Sequence, residues 1–425
     1  MKSLSGKIVA ERWALLSWPG SGLIQALKIC PTLKVQNTNP YSIVYLNKGD
    51  KFLKFSGVKS AFAYYKNHRI NLLDGSRQPS SLKKLQIKLE QLKIKDSYQD
   101  PTIIHLFYEY GFNFIGNESL IAADELLLIE LNYKKASPYQ LSGNKNTVKG
   151  PLNNIKLSDY QKSFYEGRDH LLKGNCYQFN LTFQHKFSLE GEPEDVFHSL
   201  WAKKENRGAY AHASVIPRLN KIFVSNSPEC LFQIKTKKEG HLLWSMPIKG
   251  SQLLENNPKL SWEKLKSCPK NQAELYMITD LLRNDLSKIE NPKAKVIKKK
   301  SPLKVPGILH QYSLVSVLLN KNISLYKIIS SLFPGGSVTG APKKRVMEIL
   351  KDLEFSGKRG FYCGSTIILY KNLKAASINI RSATIDLNSK EFFYGSGGGI
   401  TLLSEAEEEY KEMKLKIGSF INILS

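Results

Sequence analysis

Short runs of apolar and aromatic residues recur along the chain and predict β-strands. In the first third of the chain, such runs lie at 42–46, 103–108 and 126–131. Later runs lie at 177–183, 221–225, 242–246, 365–370 and 392–394. Runs of this length, separated by polar and turn-forming residues, are typical of strands. Because segments with helical periodicity are interleaved with them, the pattern predicts a fold that combines β-sheets with helices.

Two segments show the spacing of three and four residues that marks one buried face of a helix. The first segment runs from Asn271 to Ile289 and has apolar residues at Leu275, Ile278, Leu282, Leu286 and Ile289. The second begins near Glu405 and has its apolar face at Ala406, Tyr410, Met413, Ile417 and Phe420. Both patterns predict long amphipathic helices that pack against a core.

Charged residues beside these two apolar faces allow two interpretations. At about 100° per residue, the C-terminal helix places four of them along one flank: Glu405, Glu409, Glu412 and Lys416. Glu274 lies just outside the apolar face of the other helix. Such carboxylates can bind metals or substrates, but a charged flank is also commonly solvated surface. Moreover, Asn271-x-x-Glu274 and Ser404-x-x-Glu407 have the spacing of capping boxes.

The composition is that of an ordinary folded protein, with 42% hydrophobic, 10% aromatic and 23% charged residues. The chain carries 62 Lys plus Arg against 37 Asp plus Glu, a formal net charge of +25. The basic residues are spread over the sequence, most densely at 293–304, without a zinc-finger spacing or an RNA-binding signature. We therefore expect no nucleic-acid partner. A positive field would instead attract a small anionic substrate.

Cysteine usage and hydropathy indicate a cytoplasmic protein without a membrane span. The cysteines are odd in number, far apart and never in a C-x-x-C pair: Cys30, Cys176, Cys230, Cys268 and Cys363. This pattern argues against a disulfide framework or a zinc site and suits a reducing compartment. The N-terminus reaches Glu11 and Arg12 before any long apolar run. No stretch approaches the roughly 18 apolar residues that a membrane span needs.

One segment, 134–157, has the composition of a linker. It is rich in Lys, Asn, Ser, Pro and Gly and lacks apolar periodicity. It predicts a division of the chain into an N-terminal region, 1–133, and a larger C-terminal region, 158–425.

Two glycine-rich loops, at 333–342 and 395–399, resemble nucleotide-binding motifs without matching them. In the first loop, Gly335 and Gly340 have the spacing of a phosphate loop, but Ala341 replaces its lysine. In the second, Ile400 replaces the third glycine of a dinucleotide-binding motif. Both loops offer backbone N–H groups that can hold a carboxylate. Tight turns that need a positive φ explain the glycines equally well.

A lysine in the sequence Met246-Pro-Ile-Lys-Gly-Ser251 is a candidate nucleophile. This lysine, Lys249, follows a predicted strand and is succeeded by a turn. Taken alone, a single lysine in so basic a chain is expected to be a solvated charge. A nucleophilic role requires loss of its proton, which burial or a neighbouring cation favours.

Several motifs occur together in one order along the chain. They are Pro247-Ile-Lys-Gly-Ser251, Glu274 leading to Asp280-Leu-Leu-Arg-Asn-Asp-Leu286, Phe333-Pro-Gly-Gly-Ser-Val-Thr-Gly-Ala-Pro-Lys343, Arg359-Gly-Phe-Tyr-Cys-Gly364, Ile378-Asn-Ile-Arg381, and Gly395-Ser-Gly-Gly-Gly-Ile400 with Glu409-Tyr-Lys-Glu412. From about Tyr160 onward, this order resembles that of the chorismate-using enzymes, the family of anthranilate synthase component I. Upstream the likeness is looser, although Phe107-Tyr-Glu-Tyr-Gly111 also fits. The resemblance implies an α+β fold, an anthranilate synthase component I-like α/β sandwich of two large antiparallel sheets surrounded by helices.

The resemblance also implies a cleft for chorismate and Mg²⁺ in the C-terminal region. By motif position the Mg²⁺ ligands are Glu274 and Glu412, with Glu409 as a nearby carboxylate. The groups that would hold the two substrate carboxylates are Tyr362, Arg381, Lys416 and the amides of Gly397, Gly398 and Gly399. His310 corresponds to an active-site histidine near the ring hydroxyl at carbon 4. Thr339 belongs to a loop that lines the same pocket.

Lys249 distinguishes between the activities of the family. Anthranilate-forming relatives have alanine at this position, and isochorismate-forming relatives have a base lysine where this chain has Gln178. The resemblance therefore implies a covalent Lys249 adduct at ring carbon 2, followed by amination at carbon 4 to give 4-amino-4-deoxychorismate, the precursor of p-aminobenzoate and folate. Anthranilate formation is the alternative, and nucleic-acid binding a remote one. Met246 and Cys230 stand where the family commonly has Arg, so the surroundings of the site depart from the pattern.

Two further expectations concern a partner and an effector. None of the cysteines lies in the G-x-C-x-G setting of a glutaminase nucleophile, so the resemblance implies that a separate glutamine amidotransferase subunit supplies ammonia. Regulated anthranilate synthases carry a Leu-Leu-Glu-Ser element near the N-terminus that binds tryptophan. The comparable stretch, Trp13-Ala-Leu-Leu-Ser-Trp18, lacks the glutamate, and we expect no tight inhibition by tryptophan.

Overall fold

The computed structural model describes residues 39–144, 146–253, 257–290, 293–305 and 308–424. The 13–18 stretch and Cys30 lie outside the described residues. The strands are β1 (Tyr41–Leu46), β2 (Lys51–Tyr65), β3 (His68–Asn71), β4 (Arg77–Pro79), β5 (Tyr98–Leu106), β6 (Leu126–Tyr139), β7 (Thr147–Lys149), β8 (Gln178–Glu190), β9 (His212–Ile216), β10 (Lys221–Ser225), β11 (Cys230–Thr236), β12 (His241–Ser245), β13 (Ile248–Leu253), β14 (Lys295–Val305), β15 (Ile308–Leu319), β16 (Gly340–Ala341), β17 (Ser365–Lys371), β18 (Leu373–Ile378), β19 (Ser382–Asp386) and β20 (Glu391–Ile400). The helices are α1 (Leu82–Gln91), α2 (Gly111–Phe114), α3 (Leu157–Leu172), α4 (Asp195–Trp201), α5 (Pro258–Ser267), α6 (Pro269–Ile289), α7 (Leu325–Leu332), α8 (Lys343–Leu353) and α9 (Ala406–Leu424).

The strands form two antiparallel sheets that are joined where β1 pairs with β2. The first sheet has the order β2–β6–β5–β17–β18–β11–β12–β15, and β13 and β14 also pair with β15. The second has the order β1–β9–β10–β19–β20–β8. The predicted strands within the described residues are all present. Their order in the sheets depends on pairings between distant parts of the chain.

Three groups of buried apolar residues hold the layers together. Between the sheets lie side chains from both of them, including Val44, Phe55, Tyr133 and Phe223. Helices α3, α4, α8 and α9 cover the outer face of the second sheet, and α1, α6 and α7 cover that of the first. Burial of a large apolar side chain contributes about 1.5–3 kcal/mol to folding. The arrangement is the predicted α+β sandwich of two antiparallel sheets surrounded by helices.

In neither predicted capping box is the first residue the N-cap residue of its helix. Helix α6 begins at Pro269 with Cys268 as its N-cap residue, because proline suits the first helical turn. Asn271 therefore lies inside the helix. Ser404 lies two residues before α9 begins, and its hydroxyl donates to Glu409 Oε1 at 2.8 Å.

The predicted linker contains regular structure. Strand β6 continues through Tyr139, which lies opposite Phe52 of β2, and β7 follows at 147–149. Lys134 and Lys135 are both exposed and hide this strand in the sequence, because charged residues at solvent-exposed positions interrupt the apolar run that would mark it. The division of the chain at 134–157 stays a prediction. None of the helices in the described residues is long and apolar enough to cross a membrane.

Candidate active site

Lys249 lies in strand β13, at a β-bulge on the edge of the first sheet, and the bulge takes the place of the turn expected after this lysine. It is opposite Gln311 of β15, and the register shifts between Lys249 and Ser251, which is opposite His310. Gly250 has a φ of +79°, and a Cβ there would lie 3.0 Å from Asn271 Cγ. Only glycine adopts this conformation without strain. The bulge thus brings the chain beside the start of α6.

Glu274 of helix α6 lies beside this bulge. The Lys249 Nζ and Glu274 Oε2 atoms are 3.9 Å apart, and the two side chains are only 15% and 11% exposed. Gln311 Nε2 donates to the carbonyl of Asn271 at 3.0 Å, and Gln272 Nε2 donates to Gln311 Oε1 at 3.0 Å. These bonds tie α6 to β15. The amine and the carboxylate are consequently held together in a mostly buried setting.

The glycines of β20 allow two groups of side chains to approach the strand. A Cβ at Gly399 would lie 2.5 Å from Gln178 Nε2 and 3.6 Å from Lys249 Nζ. A Cβ at Gly398 would lie 2.9 Å from Glu409 Oε2. Successive strand residues face opposite sides of a sheet. Lys249 and Gln178 are therefore on one face of β20, and Glu409 is on the other.

Helix α9 carries the second group, as its predicted charged flank requires. Lys416 Nζ donates to the carbonyl of Gly397 at 2.8 Å and forms an ion pair with Glu412 Oε1 at 2.9 Å. Glu409 is buried, whereas Glu405 is exposed. Glu409 and Lys416 on this flank therefore contact the glycine-rich strand, whereas Glu405 is exposed to solvent.

The candidate metal ligands are all carboxylates, the donors that a hard cation prefers. Within the described ranges, no three His, Cys, Asp or Glu side chains come together as a metal site. Glu274 lies beside Lys249 and Glu412 pairs with Lys416. Mg²⁺ commonly takes only one or two protein carboxylates and keeps several waters. Two carboxylates on different helices therefore fit Mg²⁺ by donor chemistry.

The candidate groups for substrate carboxylates lie around the β13 bulge with Lys249 and around β20. The Tyr362 ring packs directly against Gly395, where a side chain would collide with it. Arg381 is exposed. Burial lowers the pKa of His310, and the positive charge of Arg381 lowers it further, which places Arg381 near that histidine. The neutral imidazole can accept or donate one hydrogen bond.

The loop with Thr339 is fixed against β8. The Thr339 hydroxyl is buried and donates to the carbonyl of Gly335 at 2.9 Å. The backbone N–H of Asn180 donates to the carbonyl of Thr339 at 2.8 Å. The hydroxyl of Thr339 therefore shapes the loop, and any role toward a substrate belongs to the loop as a whole.

Glu229 is a site residue that the motif analysis did not assign. It is 6% exposed, and burial raises its pKa to about 7, although the positive charge of Lys249 and the hydroxyl of Ser337 act in the opposite direction. It thus adds a second carboxyl near the amine. The sequence signal was present in Ser227-Pro-Glu229, but the proximity of residue 229 to residue 249 depends on the fold.

Arg359 is a second residue whose position emerges only from the structure. Its guanidinium donates to Glu354 Oε1 at 2.6 Å and Oε2 at 2.8 Å, and to the carbonyls of Asn180 at 2.6 Å and Val338 at 2.5 Å. It also lies 4.5 Å from the ring of Tyr108. Asn180 lies opposite Gly399, and Val338 precedes Thr339. Arg359 therefore ties the loop with Val338 to β8, the strand that pairs with the glycine-rich strand β20.

Sequence comparison places this architecture in a known family. A family profile described as chorismate binding enzyme matches residues 95–422. The chain belongs to this family. It is 32% identical over 277 residues to aminodeoxychorismate synthase component 1 of Salmonella typhimurium, covering 64% of this chain and 58% of that protein. It is 30% identical over 282 residues to the Escherichia coli protein of the same name, with coverages of 64% and 58%. The chain thus spans about three fifths of the length of these curated relatives.

Solved structures of chorismate binding enzymes show the same fold. Anthranilate synthase component I from Streptococcus pneumoniae superposes with a TM-score of 0.68 at 18% identity, covering 93% of this chain and 95% of that one. The menaquinone-specific isochorismate synthase MenF from Escherichia coli gives a TM-score of 0.65 at 14% identity, with coverages of 92% and 90%. At these identities the similarity concerns the fold alone. The two-sheet sandwich predicted from the sequence is confirmed.

Proposed function

We propose that this family member is an amination subunit that converts chorismate and ammonia to 4-amino-4-deoxychorismate. The observation that carries the proposal is the mostly buried Lys249 at the bulge of β13, with its amine 3.9 Å from the Glu274 carboxylate and its charge acting on the Glu229 carboxyl. Its curated relatives named aminodeoxychorismate synthase component 1 support the same activity. Gln178, rather than a second lysine, lies beside Gly399. Lys249 is therefore the amine positioned for attack.

In the proposed reaction, the Lys249 amine bonds to ring carbon 2 and the hydroxyl at carbon 4 leaves as water. The proton lost by the amine and the proton gained by the hydroxyl balance. Ammonia then bonds to carbon 4, the Lys249–carbon 2 bond breaks, and a proton from ammonia returns to the lysine. Glu229 suits these transfers, since a carboxyl with a pKa of about 7 can both take and give a proton near neutral pH.

Substrate binding in this proposal uses fixed positive groups and backbone amides. Chorismate carries two carboxylates. Arg381 can grip one of them with its guanidinium fork, and Lys416, already at the carbonyl of Gly397, lies near the glycine amides. The absence of side chains at 397–399 lets a carboxylate approach these N–H groups. Such prearranged groups orient the ring before reaction.

Mg²⁺ is part of the proposal and would be held by Glu274 and Glu412. When bound, it would neutralise and orient a substrate carboxylate. Glu409, which is buried and accepts from Ser404, would support the arrangement from within α9. We also propose a cytoplasmic location and a separate glutamine amidotransferase subunit as the source of ammonia, consistent with relatives that are named as component 1.

Product analysis tests the proposed function directly. The purified chain, chorismate, Mg²⁺ and ammonium chloride should yield a product that an added lyase converts to p-aminobenzoate. Lys83→Ala, which changes an exposed lysine of α1, serves as the control and should leave the yield unchanged. Fluorescent anthranilate as the main product would contradict the proposal and favour the alternative suggested by the anthranilate synthase fold.

A further inference from the structure

A small cavity lies between α6, the loop at 335–337 and the residues that precede Lys249. The space open to the centres of water-sized molecules is about 20 Å³. One water needs roughly 10–15 Å³ by this measure. The cavity therefore has room for one such molecule, or at most two, and none for a chorismate ring.

The wall of this cavity combines apolar side chains with hydrogen-bonding oxygens. Leu281 and Ile378 are among the apolar residues, and Glu229 and Ser337 contribute a carboxyl and a hydroxyl. The Ser337 oxygen is buried and has no partner of ordinary hydrogen-bond geometry among the described residues. At the α6 side lies Asp285, whose Oδ2 is paired with Lys343 Nζ at 3.0 Å. A molecule-sized space that borders a carboxyl and the unpartnered hydroxyl oxygen of Ser337 suits a small hydrogen-bond donor.

The cavity borders the proposed reaction centre. Pro247, two residues before Lys249, is part of its wall. Glu229 belongs both to this wall and to the surroundings of the Lys249 amine, whose charge acts on it. The cavity and the Lys249 amine thus share the Glu229 carboxyl as a neighbour.

We propose that this cavity is the binding site of the ammonia that attacks carbon 4. The inference rests on the proposed function, because it assigns a place to the second substrate of that reaction. Ammonia matches water in size, and its N–H groups can donate to the oxygens of Glu229 and Ser337. The apolar wall excludes larger nucleophiles by shape.

Gly336 provides a way to fill the cavity. A Cβ at this position would lie 2.6 Å from Leu281 Cδ2, and both residues line the cavity. The added methyl group of Gly336→Ala must take space from the bound molecule. We expect the KM for ammonium to rise about tenfold or more, the effect of a modest steric clash. The KM for chorismate and the Lys249 adduct formed without ammonia should stay unchanged.

Leu281 provides the matched opposite change. Leu281→Ala enlarges the cavity and should allow methylamine to replace ammonia, giving a product heavier by one methylene group. Leu281→Ala combined with Gly336→Ala should restore the ammonium KM to within a few fold of the parent value. This recovery would show that the single Gly336→Ala variant acts by filling space rather than by misfolding.

The outcomes separate this inference from the proposed function. If the parent chain forms no aminated product, the proposed function fails and the cavity assignment fails with it. If the parent chain makes the product but Gly336→Ala leaves the ammonium KM unchanged, or raises both KM values equally, the cavity is not the ammonia site while the proposed function stands. Failure of Leu281→Ala to use methylamine would likewise count against the cavity.

Discussion

The two faces of the glycine strand β20 differ in how far they are withdrawn from water. On the Lys249 face, the amine and the Glu274 carboxylate are 15% and 11% exposed. On the α9 face, Glu412 and Lys416 are 55% and 41% exposed. Charges interact more strongly where water is excluded. The amine on the first face is therefore in the setting better suited to bond-making chemistry, whereas the ion pair on the second face is more strongly screened by solvent.

The run of glycines in β20 brings both settings to a single strand. The glycines let Lys249 approach from one side and Glu409 from the other. Arg359 donates hydrogen bonds to the carbonyls of Asn180 in the neighbouring strand and of Val338 in the loop. The first prediction removes the amine of Lys249, and the second removes the proposed Mg²⁺ ligands. The third removes the hydrogen bonds of Arg359, and the fourth removes the charge of Glu229.

The largest effect is expected for Lys249→Ala, which removes the proposed nucleophile from the buried face. Activity should fall by about 10³-fold or more, as it does when other enzymes lose a nucleophile. Intact-protein mass spectrometry without ammonia should show a chorismate-derived adduct on the parent chain and none on the variant. At high ammonium, ammonia should add to carbon 2 in the vacated space and shift the residual product toward anthranilate.

Lys249→Arg sharpens the same test. A guanidinium stays protonated and cannot act as a nucleophile, so this variant should also form no adduct although it keeps the positive charge. Lys83→Ala is the control that should retain both adduct and activity. Full 4-amino-4-deoxychorismate formation by Lys249→Ala would refute the covalent mechanism and leave chorismate binding untouched.

A second prediction links the two faces through Mg²⁺. Glu274→Gln and Glu412→Gln each remove one negative charge at nearly constant volume and should weaken Mg²⁺ activation by at least about 10–100-fold, the loss typical even of groups that only support a metal ligand. Titration of activity with Mg²⁺ measures the effect. Glu405→Gln, on exposed surface at the start of α9, should leave the titration curve in place. Equal curves for all three variants would argue against these ligands.

A third prediction concerns the support behind the strand. Arg359→Met leaves Glu354 buried without its partner and should cost about 3–5 kcal/mol of unfolding free energy, measured by urea denaturation. Replacing both residues, in Arg359→Met with Glu354→Leu, should recover part of this loss because no unpaired buried charge remains. If the single variant is as stable as the parent chain, the guanidinium does not fasten the loop and β8.

A fourth prediction is a pH-dependent gain in stability from Glu229→Gln. The folded-state pKa of Glu229 is about 7, above its ordinary value of 4.5. Ionisation of this buried carboxyl therefore destabilises the folded parent chain as pH rises from 4.5 to about 7. Relative to the parent, the variant should gain stability over this range, by up to about 3 kcal/mol, and level off above it.

Urea denaturation at pH 5 and pH 8 measures this gain. Glu405→Gln again serves as the control, since its exposed carboxylate should give the same small difference at both pH values. A Glu229→Gln effect that does not change with pH would mean that the carboxyl is not held in a raised-pKa environment. Activity of the variant should fall regardless, because an amide cannot transfer the proton.

Much of the fold and part of the site could be predicted from the sequence, because these features depend on local patterns. Apolar and aromatic runs located eight of the strands but not long strands such as β2, β14 and β15, and spacings of three and four located α6 and α9. The positions of Glu409 and Lys416 on one flank follow from helical geometry alone. Lys249 and Glu274 came from motifs whose order resembles the chorismate-using enzymes, and the family was confirmed.

Only the tertiary structure decided which distant residues meet. The charge of Lys249 acts on Glu229, and Arg359 binds the carbonyls of Asn180 and Val338, because strand pairing and loop packing join segments far apart in the chain. No local periodicity encodes such contacts. The start of α6 at Pro269 was likewise set by its packing and its proline rather than by the Asn271 capping pattern. The cavity beside Gly336 exists only where several separate segments fail to fill the space between them.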